Sequence, residues 1–111
     1  MERQELINEL NLCVSYCDAC YDGCSQEQDR HMLERCMMLD KECREICRLT
    51  ASLLEAGSEN ADKFVKLCAD ICKLCAEECH KHAHDHCQEC AAQCDKCYEM
   101  CVAYFDQMLA L

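Results

Sequence analysis

Sixteen cysteines recur in steps of three and four through a chain of 111 residues that contains no proline and two glycines. Cys13, Cys17, Cys20 and Cys24 follow a four-three-four step, and Cys68, Cys72, Cys75 and Cys79 repeat it. Cys87, Cys90, Cys94, Cys97 and Cys101 step three-four-three-four, while Cys36, Cys43 and Cys47 leave one gap that Leu39 fills. A strand would alternate every second residue; steps of three and four return a side chain to the same face of an α-helix. The cysteines therefore mark the inward stripes of four helices, and without proline nothing interrupts those helices from within.

The few breakers divide the chain. Gly57 reads as a C′ glycine followed by an N-cap at Ser58. Gly23 to Asp29 is an earlier polar break, and the stretch from His80 to Asp85 a third, with Asp85 as a cap and Gln88 completing a capping box. The expected helices run near 3–23, 29–56, 59–81 and 86–109. Short links make neighbours antiparallel, so the fold class is all-α, an up-down-up-down four-helix bundle forming one domain over 1–111. Continuing each stripe past its cysteines gives Leu6, Leu10, Leu53, Leu54, Phe64, Val65, Phe105 and Met108, all at one end of such a bundle. The core divides into a hydrocarbon plug and a thiol column about 27 Å long. Because reduced thiols pack as small hydrophobes, this predicts a chain that folds before it meets metal.

A formal charge of −11 repels nucleic-acid phosphates and anionic membrane surfaces. No apolar run long enough for a membrane span follows the amino terminus, so a cytoplasmic protein is expected. A reducing compartment favours metal binding or redox use of the thiols over structural disulfides, and disulfide miniproteins are richer in turn residues than this chain.

Pairs at i and i+4, such as Cys13–Cys17, Cys20–Cys24, Cys43–Cys47, Cys68–Cys72, Cys75–Cys79, Cys90–Cys94 and Cys97–Cys101, can each bring two sulfurs to one ion. Soft thiolates at low coordination number select Cu(I); zinc prefers closed tetrahedral sites of four ligands, of which sixteen cysteines could also make four. Iron–sulfur clusters and a catalytic cysteine fit less well, since the spacing singles out no thiol and the chain lacks the usual cluster loops. A non-enzymatic store is therefore expected, with a general Zn/Cd buffer or a thiol redox module as alternatives. His31, His82, His84 and His86 lie at the thiol end, where imidazoles would receive an ion and pass it inward; the other reading is a solvated polar turn. His80 is the least suited to face inward. Met32, beside His31 and four before Cys36, is a thioether candidate at that entrance; Met37, Met38 and Met100 are packing residues first, Asp18, Glu42, Glu77, Glu78 and Asp95 belong to a solvated outer face, and Tyr16, Tyr21, Tyr98 and Tyr104 are available for subunit contacts.

The stretch Cys68-Ala-Asp-Ile-Cys72-Lys-Leu-Cys75-Ala-Glu-Glu-Cys79-His80, followed by His84-Asp85-His86-Cys87-Gln-Glu-Cys90, resembles the cytosolic copper storage proteins of bacteria. So does the second helix, with His31, Cys36, Leu39-Asp40, Glu42-Cys43 and Ile46-Cys47. The resemblance spans nearly the whole chain. It implies a homotetramer of four-helix bundles, each with a Cu(I)-filled thiolate core and histidines at an open mouth. At one ion per bridging thiolate, capacity would be on the order of 16 Cu(I) per chain.

Overall fold

The computed structural model describes residues 2–110. Four helices, α1 (Arg3–Ser25), α2 (Glu34–Ala56), α3 (Ala61–His80) and α4 (Asp85–Ala110), form a rod of 49 × 21 × 18 Å. Helix α1 packs on α2 and α4, and α3 packs on the same two, so each helix lies beside two neighbours and meets the fourth only through core side chains. The three links are short, which fixes the antiparallel up-down-up-down order.

The helix ends depart from the sequence expectation where local hydrogen bonding decides them. Gly23 does not end α1, which runs on to Ser25, where the Gln26 N–H donates to Gly23 O. Residues 30–33 form a separate 3-10 turn, so α2 begins at Glu34 rather than near 29. Gly57 does end α2, at φ 65°, with its N–H on Leu54 O and that of Ser58 on Leu53 O. Ser58 lies ahead of α3, whose N-cap is Asn60; the Ser58 hydroxyl accepts the Asn60 N–H instead. Gln88 makes no capping box, since its amide donates to the carbonyls of His80 and His82 and ties α4 to the end of α3.

The core has the two expected parts. Leu6, Leu10, Leu54 and Val65 are fully buried at the far end, with Leu53, Phe64 and Phe105 packed partly against them. Two expectations are corrected. Met108 stays 38% exposed beside the chain terminus, and Tyr104 is buried in its place rather than left for a partner. Burying such side chains stabilises by about 25 cal/mol per Å² of apolar surface, which gives this end an anchor that needs no metal.

Candidate metal centre

All sixteen cysteines have no solvent exposure, and all are free thiols. Their sulfurs form a branching column along the bundle axis. From the far side inward, Cys47 lies 3.6 Å from Cys68 and 3.8 Å from Cys72, and Cys43 lies 3.6 Å from Cys72 and 3.9 Å from Cys13. Cys94 then bridges Cys13 at 3.8 Å and Cys17 at 3.9 Å, and Cys90 lies 3.9 Å from both Cys17 and Cys94. At the near end Cys36 approaches Cys79 at 3.5 Å, while Cys20 joins Cys24, Cys36 and Cys87. Cys97 shares a four-sulfur group with Cys13, Cys47 and Cys72, and Cys17, Cys75, Cys90 and Cys94 form another. Cys101 is buried with them.

These spacings suit metal coordination. Sulfurs bound at about 2.3 Å stand about 4.0 Å apart in a trigonal plane and about 3.8 Å apart in a tetrahedron. A metal ion can therefore enter with little movement of the helices. Burial pushes the Cys24 thiol upward and takes that of Cys87 to about 12, so an entering cation must displace their protons.

The histidines divide sharply. His86 alone is brought to the thiols, with Nδ1 3.4 Å from Cys87 Sγ and 3.8 Å from Cys24 Sγ. Its other nitrogen meets Glu27 Oε2 at 3.1 Å, which orients the ring, and its face stacks on His84 with centroids 5.3 Å apart. His84 does not reach a sulfur; it is held by Glu27 at 2.8 Å and Asp29 at 3.1 Å, one ring outward of His86. His82 turns to Glu78 at 2.8 Å. His31 is exposed on the 3-10 turn beside Met32, and, five residues before Cys36, it lies off the inward stripe of α2. His80 pairs with Asp95 on the outside, as expected.

Three acidic residues have roles that periodicity did not reveal. The gap in the α2 stripe is filled by Asp40, not Leu39: the step 36-40-43-47 is four-three-four, as in α1 and α3, and Asp40 has no exposure. Leu39 is also buried, at the flank. Thiols of Cys75, Cys79 and Cys90 donate to Asp40 Oδ1 at 3.4, 3.5 and 3.5 Å, and Oδ2 has no partner among the described residues. Burial, reinforced by Cys90, pushes this carboxyl up to about 9. Glu78 is buried rather than solvated. Burial works against its ionisation, but hydrogen bonds from His82, Arg35 and Lys81 outweigh that and hold the carboxyl below its usual range. Glu27, which carries both mouth imidazoles, has no signal in spacing at all, since its role depends on where α4 comes to lie.

The copper storage protein family model matches residues 1–106. Among proteins of known sequence, the uncharacterized cysteine-rich protein YhjQ of Bacillus subtilis (strain 168) is 43% identical over 61 residues, 55% of this chain and 56% of that protein. The Cu(I)-bound copper storage protein BsCsp3 superposes with a TM-score of 0.88 at 39% identity, covering 92% of this chain and 97% of that one. A cytosolic copper storage protein from Streptomyces lividans, in a structure of copper loading with five coppers, superposes at 0.90 with 30% identity, covering 94% and 92%.

Proposed function

The chain belongs to the copper storage protein family, and on that premise we propose that it holds Cu(I) in the thiol column, taking ions in past His86 and shielding them from water by the bundle walls. The observation that carries this is the column of sixteen buried, unpaired sulfurs, fourteen of which form two runs at 3.5–4.0 Å that meet at Asp40 and in four-donor groups within 4.8 Å. A soft monovalent ion bridged by such thiolates moves from one pair to the next by exchanging one bond at a time. His86, Cys24 and Cys87 form the receiving end, with His84 as an outer contact; His82 and His31 stand farther out. Nothing is turned over, so the protein acts by capacity and affinity rather than by catalysis.

We further propose a capacity on the order of 16 Cu(I) per chain, one per thiolate. The whole of 1–111 would act as a single domain. A cytoplasmic setting suits thiols that must stay reduced, and none of the helices is long and apolar enough to cross a membrane. A homotetramer is supported by exposed leucines on the adjoining flanks of α2 and α3, namely Leu49, Leu67 and Leu74, each more than two-fifths exposed.

The decisive experiment is an anaerobic Cu(I) titration of reduced protein against a chromogenic Cu(I) chelator. Saturation on the order of 16 equivalents supports the proposal; saturation near four contradicts it and favours separate four-cysteine sites. Sedimentation of the same samples reads the assembly state.

A further inference from the structure

The mid-column carboxylate is the one feature that storage of a soft monovalent ion does not explain. Asp40 occupies a cysteine position of the α2 stripe, is fully buried, and points one oxygen at three thiols while the other has no partner among the described residues. A buried carboxyl with no compensating charge, held only by weak S–H donors on one oxygen, is costly, and a further cysteine or a leucine would fill the space without that cost. Carboxylate oxygen is also a poor match for Cu(I), which selects thiolate and thioether donors.

Three thiolates and one carboxylate form a donor set that zinc accepts in tetrahedral geometry. With Zn–S bonds of about 2.3 Å and a Zn–O bond of about 2.0 Å, a tetrahedron has oxygen-to-sulfur edges of about 3.5 Å and sulfur-to-sulfur edges of about 3.8 Å. Oδ1 of Asp40 stands 3.4 Å from Cys75 Sγ and 3.5 Å from those of Cys79 and Cys90, and Cys75 and Cys79 are 4.0 Å apart. The remaining pairs, Cys75 with Cys90 and Cys79 with Cys90, lie within 4.8 Å. The four donors come from α2, α3 and α4, and all are buried.

We propose that Asp40, Cys75, Cys79 and Cys90 form a four-coordinate site for one Zn2+ ion, set within a column otherwise suited to Cu(I). This rests on the reading of the column as metal-binding. The ion replaces the three thiol protons and the carboxyl proton, which leave to solvent, and its two positive charges offset part of the negative charge of the four donors. Cys20 lies within 4.8 Å of Asp40, Cys79 and Cys90 and can take the place of Cys75.

The test uses full-length, anaerobically reduced protein titrated with Co2+ as a spectroscopic probe and then with Zn2+, in the wild type, D40N and D40C. The first Co2+ equivalent in the wild type is expected to give tetrahedral d–d bands with charge-transfer intensity for three thiolates, and one equivalent of Zn2+ to abolish them. D40N is expected to lose that first equivalent, with affinity falling at least tenfold. D40C, which extends the cysteine stripe, is expected to give the intensity of four thiolates. A wild-type first equivalent already showing four thiolates, or equal first-site affinity in the wild type and D40N, overturns the proposal. Circular dichroism establishes that each variant is folded. A parallel Cu(I) titration separates the two readings: near-full Cu(I) capacity with no Asp40-dependent Zn2+ site refutes this inference alone, whereas failure to take up Cu(I) refutes the storage reading.

Discussion

His86 lays its imidazole against the backbone of Gly23, so closely that a Cβ at residue 23 would stand 2.5 Å from His86 Cδ2 and 2.7 Å from Cγ. The glycine is helical and needs no unusual backbone angle. What it supplies is space, through which the Nδ1 of His86 reaches Cys24 and Cys87.

Gly23→Ala should therefore reverse the usual effect of this substitution. In an open helix interior alanine gains about 0.5–1 kcal/mol over glycine. Here the methyl group displaces the ring, so the gain disappears and Cu(I) uptake from a chelator complex slows. In a His86→Ala background the same substitution should recover the ordinary gain. Urea denaturation of the four proteins of this double-mutant cycle, with stopped-flow loading of each, reads both effects.

Asp40 sets the pH response of the metal-free protein. Its carboxyl has an ordinary value of about 3.9 in the unfolded chain and about 9 in the bundle. Between those limits the folded state holds a proton that the unfolded state releases, so the contribution is full at low pH and is lost as pH rises. Stability of chelator-treated, reduced protein should fall between pH 5 and 7.5 by at most about 1.4 kcal/mol per pH unit from this group. D40N should flatten the slope; an unchanged slope across denaturation curves at several pH values refutes the assignment.

The hydrocarbon plug should decide whether the empty bundle folds. Leu10→Ala removes a fully buried side chain and should cost about 2–5 kcal/mol, leaving every sulfur in place. Calorimetry of the variant should show a lower Tm without copper. Adding Cu(I) should restore much of the loss, since a ligand bound by the folded form alone stabilises it.

Cys43 is a junction of the column, with the sulfurs of Cys13, Cys47, Cys72 and Cys94 all within 4.0 Å. Replacing it with serine removes one thiolate from several shared clusters at once. Chelator titration of Cys43→Ser should show a loss of more than one Cu(I) per chain.

The helices and their inward faces could be read because one residue type, repeated at helical steps, carries both signals. The same pattern concealed Asp40: an apolar Leu39 beside it made an easy filler, although counting four onward from Cys36 lands on the aspartate. Glu78 looked like an ordinary surface acid because Arg35, which pairs with it at 2.7 Å, lies 43 residues away and on another helix. Met32, four residues before Cys36, followed the expected phase of α2 on paper, but the 3-10 turn winds at three residues per turn and leaves it exposed beside His31. Of the mouth, spacing located the region, while the choice of His86 over His84 and His82 depended on how Glu27 and Gly23 sit beneath α4.

Leu6, Leu10, Leu54 and Val65 close the bundle at the end opposite His86. A tube stoppered in this way has a single doorway, so under the proposed storage role every ion would come and go at the His86 end. An ion held beside Cys47 and Cys68 would have more sulfurs to pass on its way out than one resting on Cys24 and Cys87.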